Sequence, residues 1–189
     1  ADTNFSEGYA AYILAPVIAN GADFPFDSIW MGVAENHEAM GTVMDEWAAK
    51  GGAWQKKFDA ASKCDSHALM TSMEVKPYAK LGQAGYLQIS ACEFKDAAGF
   101  ADLMVADKKW TAWMDKNAMP GGIYRWIPGV GAPRGDSTDF YGVYVAESLG
   151  DRGKAHDMMM SGGFPVWSAL YDGIAECDNP RVWNAQPAG

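Results

Sequence analysis

The chain has few of the residues that usually carry chemistry. It holds three histidines and three cysteines in 189 residues. None of the spacings among them is that of a metal-ligand set, which leaves metal catalysis without a visible anchor. No Gly-x-Ser-x-Gly, His-Glu-x-x-His, P-loop or dinucleotide fingerprint occurs, so the common hydrolase, metalloprotease, NTPase and dinucleotide-binding readings have no support. Long apolar runs are absent too. The longest, such as residues 9–19, fall far short of the roughly 20 residues that a membrane-crossing helix needs. A basic cluster is also missing. With 15 Lys and Arg against 24 Asp and Glu, the net charge is −9. Phosphate binding needs grouped cations, so this balance argues against a nucleic-acid partner, and an anionic membrane would repel the chain.

What is present is an ordinary globular composition, 49% hydrophobic and 21% charged. The acidity reads as a contribution to solubility. Ala1 without Met, followed by a polar lead, is what signal-peptide removal would leave. Cys64 and Cys177 each stand between a helical segment and the next strand, which suits structural use in an oxidising compartment. The expectation is an exported protein, periplasmic or extracellular.

The richest feature is an internal repeat. Asp27, Val33-Ala34-Glu35, Gly41, Asp45, Gly51, Trp54, Asp59 and Cys64-Asp65 recur in order as Asp139, Val145-Ala146-Glu147, Gly153, Asp157, Gly163, Trp167, Asp172 and Cys177-Asp178. Tyr12 and Pro16 match Tyr124 and Pro128 in the same register, and one inserted residue near the paired glycines shifts the later matches. Duplication at this spacing points to two copies of one supersecondary unit.

Alternating apolar residues predict strands over Tyr9–Ala19, Ser28–Glu35, His67–Lys76, Gly85–Phe94, Ile123–Val130, Phe140–Glu147 and Arg181–Ala185. A helix over His37–Ala49 follows Asn36 as its cap and carries Met40, Val43, Met44 and Trp47 on one stripe. Gly51-Gly52 breaks it, and Trp54, Phe58 and Ala61 continue at helical spacing. The second copy repeats this pattern: Ser148 with Asp151 as a capping box, Gly162-Gly163 as the break, Pro165 at an early helical position, and Trp167, Tyr171 and Ile174 as the stripe. A separate helix over Ala97–Lys116 offers Phe100, Met104, Trp110, Trp113 and Met114 for burial. The order in the second copy is therefore βαββαβ, the split-βαβ or ferredoxin-like arrangement, with both helices on one face of an antiparallel sheet. The fold class expected is α+β, with two tandem ferredoxin-like units. Residues 1–80 form the first, which lacks its opening strand and helix, and residues 81–189 form the complete second.

Tandem ferredoxin-like units with aromatic-rich sheets resemble the dimeric α/β-barrel superfamily, which includes antibiotic-biosynthesis-type monooxygenases, EthD-like proteins and chlorite-dismutase-like haem proteins. The resemblance is one of topology over most of the chain, and no family signature is matched residue by residue. It implies two facing sheets and a pocket between a sheet and its helices, lined by sheet aromatics and helix stripes. It also implies a role for a helical histidine as a haem-iron contact. His156 is placed on the apolar helical face where the first copy has Met44, and so is the residue that could take that role. In a ferredoxin-like unit the last strand lies beside the first, which brings Cys177 towards Cys92. A hairpin of the 67–76 and 85–94 strands would instead bring Cys64 to Cys92. One disulfide containing Cys92 is expected, with Cys177 the favoured partner.

The remaining candidates divide between structure and function. Glu35 and Glu147 end equivalent strands before a helix, where a carboxylate can meet free helical N–H groups. Asp59, Asp172, Asp65 and Asp178 suit turns. Consecutive Met158, Met159 and Met160 point different ways on a helix and read as packing. Trp30, Trp126 and Trp183 lie on strands, where some must face a second sheet, a pocket or a partner. The candidate ligand-binding residues are His156, Glu147, Trp126, Trp30 and Tyr124, with no catalytic or metal-binding residue and no cofactor assigned. The function expected first is a binding or assembly module that pairs with itself, with room for a small apolar ligand. The alternative is a haem-binding protein or a cofactor-poor monooxygenase-like enzyme.

Overall fold

Every predicted strand forms, and no end shifts by more than three residues. In the computed structural model, which describes residues 8–21, 27–64, 66–80 and 82–188, the first half holds β1 (Ala10–Ile18), β2 (Ile29–Val33), α1 (His37–Lys50), α2 (Gly52–Ala61) and β3 (Met70–Lys76). The second half holds β4 (Gly85–Phe94), α3 (Phe100–Lys116), β5 (Gly122–Pro128), β6 (Phe140–Ala146), α4 (Leu149–Met158), α5 (Phe164–Tyr171), β7 (Ala175–Cys177) and β8 (Arg181–Pro187). Strand β7 occupies residues that read as the tail of a helix.

Local chemistry accounts for the helix ends. Asn36 Oδ1 accepts from Ala39 N–H at 2.8 Å, and Ser148 Oγ accepts from Asp151 N–H at 3.0 Å, so each cap satisfies a first-turn donor. These bonds take the place expected for Glu35 and Glu147. Gly51 ends α1 where a Cβ would stand 2.5 Å from Trp47 O. Between α4 and α5 the chain makes a π-helical turn over Met159–Gly163, and Gly162 sits at φ 152°, a backbone conformation that favours glycine. Asp65 falls outside the described residues.

All strands join one sheet, in place of the two facing sheets expected. Its order is β2-β1-β8-β4-β6-β5-β3, with β7 pairing β4 beside β8, and every pair is antiparallel. The second half supplies the centre, β8-β4-β6-β5. The first half is divided between the two sides, with β1 and β2 beyond β8 and β3 beyond β5.

The sheet curls. Tyr12 on β1 and Tyr124 on β5 lie four strands apart in the order, yet share one apolar cluster with Leu14, Leu87, Val143, Val145, Trp183 and Ala185. The loop before β4 crosses this concave face: Tyr78 N–H donates to Tyr124 Oη at 3.0 Å and Gly82 N–H to Tyr12 Oη at 2.9 Å. The side chains of this cluster pack together on the concave face.

A second cluster fills the convex side, where Leu103, Ala106, Trp110 and Met114 of α3 and Tyr171 of α5 pack on Cys92, Ile123 and Phe140 of the sheet. The helix stripe differs here from expectation. Met104 is exposed, and Leu103, Ala106 and Asp107 are buried instead. Cys92 and Cys177 are cross-strand partners and form the disulfide, while Cys64 is free and exposed.

Candidate functional site

The five residues singled out by sequence do not converge. Tyr124 is buried on the concave face, its hydroxyl 3.5 Å from Glu74 Oε2, and Trp126 packs beside the same cluster. Trp30 lies on the opposite, convex face of edge strand β2. Its ring meets Phe58 of α2 edge-on at 5.0 Å, and its Nε1–H donates to Tyr9 Oη at 3.3 Å. Glu147 is exposed at one end of the sheet, paired with Lys80.

His156 is exposed on α4, and Met44 is exposed on α1. The buried positions on these helices are Ala155 and Val43, one residue earlier. One residue turns a helix by about 100°, enough to move a side chain from the packed stripe to water. The expected placement of His156 on the apolar face is thus corrected. Among the described residues, no three His, Cys, Asp or Glu side chains form a cluster that could hold a metal ion.

A polar cluster that the sequence did not single out lies under α3. Asp107, 5% exposed, receives Arg125 Nη2–H at 2.5 Å and Nε–H at 3.2 Å, a two-pronged ion pair, and Tyr171 Oη–H donates to the same carboxylate at 2.7 Å. The guanidinium also lies near the rings of Phe140 and Tyr171, at 5.7 and 5.8 Å. Gly142, opposite Arg125 in the strand register, leaves the space, since a Cβ there would meet Arg125 Nη1 at 3.3 Å. In the repeat register, Arg125, Gly142 and Tyr171 correspond to Ile13, Trp30 and Phe58, so the first half has apolar groups at these positions. Every charge in the cluster is answered from within it, which marks it as structural. Its only sequence signal is an arginine in the middle of an apolar strand.

Burial raises the Tyr171 hydroxyl well above its ordinary pKa of 10.0, and the Asp107 carboxylate pushes it the same way against the opposing pull of Arg125. Burial likewise raises Tyr144, whose hydroxyl donates to Pro120 O at 2.7 Å. A raised folded-state value means that the unfolded chain releases these protons first. Their contribution to stability is therefore complete below pH about 10 and is lost as pH climbs beyond it. Urea unfolding measured across that range should show stability falling above this point, with a shallower fall in Tyr171→Phe. An identical slope in the two proteins would refute the assignment to Tyr171.

The first half offers the contrasting feature, apolar surface without cover. In the second half, α3 lies over the convex face, and no helix among the described residues of the first half corresponds to it. Ile13 and Trp30, direct partners in the β1–β2 register, are 44% and 42% exposed there, and Val17 and Ile18 on β1 are exposed as well. Beside this patch runs the unpaired edge of β2. The other edge left unpaired among the described residues is β3, where Thr71 bonds His37 at the start of α1, Oγ1 to Nε2 at 2.9 Å.

A surface groove of about 450 Å³ between α3 and α5 is lined by Ala98, Val105, Ala106, Leu170 and Gly173 among others, and none of the strand aromatics expected to line a pocket borders it. No helix among the described residues is long and apolar enough to cross a membrane. No family model matches this chain, and no curated protein matches it.

Proposed function

We propose that the protein is an exported binding and assembly module that associates with itself through the uncovered part of its first half. The observation that carries this reading is the exposed row of Ile13, Val17, Ile18 and Trp30 on the convex face of β1 and β2, next to a free strand edge. Adjacent apolar residues on an antiparallel pair are ordinarily covered, and an open edge is ordinarily paired or blunted. A two-fold contact that sets this face against its own copy covers both faces at once. The Cys92–Cys177 bridge supports the exported setting, since such bonds persist in oxidising compartments. In this reading the halves are tandem ferredoxin-like units, the second complete and the first lacking one strand and one helix.

Ile13→Arg tests it, because the second half already carries arginine at the equivalent position and the side chain is half in water. Sedimentation should find the parent protein dimeric at micromolar concentration, with the variant's dissociation constant raised about tenfold or more and its circular dichroism unchanged. A parent protein that sediments as a monomer throughout the micromolar range rules self-association out.

A further inference from the structure

We infer that the gap between β2 and β3 is a receptor for one extended β-strand from a different polypeptide, which completes the curled sheet as an eight-stranded ring. The inference rests on the reading of the first half as an incomplete unit that binds another chain. Strand direction supplies the first argument. All neighbours along the path from β2 to β3 are antiparallel and the path has seven strands, so its two ends run the same way. They cannot pair antiparallel with each other. A single strand running opposite to both restores antiparallel pairing throughout and removes both edges.

The repeat supplies the second argument. In the second half, β4 lies between β6 and β8. The counterparts of β6 and β8 in the first half are β2 and β3, the two strands with an open side among the described residues, and no described strand of the first half corresponds to β4. The vacancy thus falls between the two free edges, where direction alone also places it. Helix α4 meets β4 where Arg152 Nε–H donates to Gln88 Oε1 at 3.0 Å, and the start of α1 meets β3 where His37 bonds Thr71.

Cysteine use is the third argument. Cys177 bonds Cys92 of β4, and its counterpart Cys64 is exposed and free where the missing strand would carry its partner.

These relations define the occupant. It runs antiparallel to β2 and β3 and presents apolar side chains to the concave cluster at alternate positions, as Leu87 and Ile89 do from β4. On its other row it carries a cysteine for Cys64. Its first residues pass beside Glu74, an exposed carboxylate on the concave row of β3. With a net charge of −9 on the chain, a basic residue at that end is favoured. A second folded copy does not qualify. Among its described residues each strand is already paired, and only β2 and β3 keep an open side on the main path.

The test uses the monomeric Ile13→Arg protein, or the parent protein if that is itself a monomer, and a synthetic peptide of one lysine followed by the sequence of residues 85–94. The two are mixed in a glutathione redox buffer. Amide exchange should slow about tenfold or more on β2 and β3 together, with β4 unchanged, and mapping should find one peptide joined to Cys64. With Cys64→Ser the protection should persist without the covalent link. A peptide carrying Asp in place of Leu87 and Ile89 should give no protection. Protection of one edge alone, an adduct at Cys64 without protection, exchange of the peptide for β4, or no binding would each overturn the inference. Because self-association is read separately by sedimentation of the parent protein, loss of the dimer and loss of strand binding are distinguishable results.

Discussion

Replacing Asp107 by alanine is expected to destabilise the fold by about 3–5 kcal/mol, because it strands a buried guanidinium without its counter-ion. Arg125 is largely buried beneath α3 with its two donor groups directed at one carboxylate, and Tyr171 donates to the same group. Removing the acceptor leaves three donor groups facing an apolar core. The effect is a property of the broken network and not a measure of what the intact network adds. Taking two charges out of water costs nearly what their attraction returns, so an apolar replacement of all three members can be neutral or stabilising by about 1–4 kcal/mol.

The first half carries apolar residues, Ile13 and Phe58, at the positions that correspond to Arg125 and Tyr171. The triple variant Asp107→Leu, Arg125→Ile, Tyr171→Phe should therefore recover most of the stability that Asp107→Ala loses. Urea unfolding of the parent, single and triple proteins measures both changes. A single variant within about 1 kcal/mol of the parent would mean that the pair is solvated and not buried.

Opening the Cys92–Cys177 bridge should have an effect of similar size. The two residues are 85 positions apart in sequence, and the loop-entropy model assigns about 4–5 kcal/mol to a loop of that length. Their place in the fold gives the loss a structural address. They close β7 on β4, and the neighbouring Asp178 carboxylate accepts Ala91 N–H at 2.9 Å and pairs with Arg181. The double variant Cys92→Ala, Cys177→Ala should unfold at markedly lower urea concentration, whereas Cys64→Ser should change stability by no more than about 0.5 kcal/mol. If Cys64→Ser were as damaging as the double variant, the bridge would not be the one described.

These two effects differ in how readable they were. For the disulfide, a last strand lying beside the first favoured Cys177 as the partner of Cys92, and the pairing of β7 with β4 decided it against Cys64. The ion-pair cluster brings residues from a strand and two helices to one point. Nothing in the spacing of Asp107, Arg125 and Tyr171 along the chain reports that meeting. His156 illustrates a finer failure. Its helix was legible, yet the buried side is set by what the helix packs on, and Ala155 faces the core in its place. Met104 on α3 was displaced in the same way, by Leu103.

The sequence by itself determined the element types apart from β7, the caps at Asn36 and Ser148, the glycine breaks and the repeated residue pattern, because each depends on residues a few positions apart or on a periodic pattern. Only the tertiary structure decided that both halves share a single curled sheet and that the first half is divided between its two sides. Pairing across strands is chosen by which edges and apolar faces meet in space, and many orders are compatible with the same alternation. The two open edges, the exposed Ile13 and Trp30, and the free Cys64 acquire their meaning from that choice.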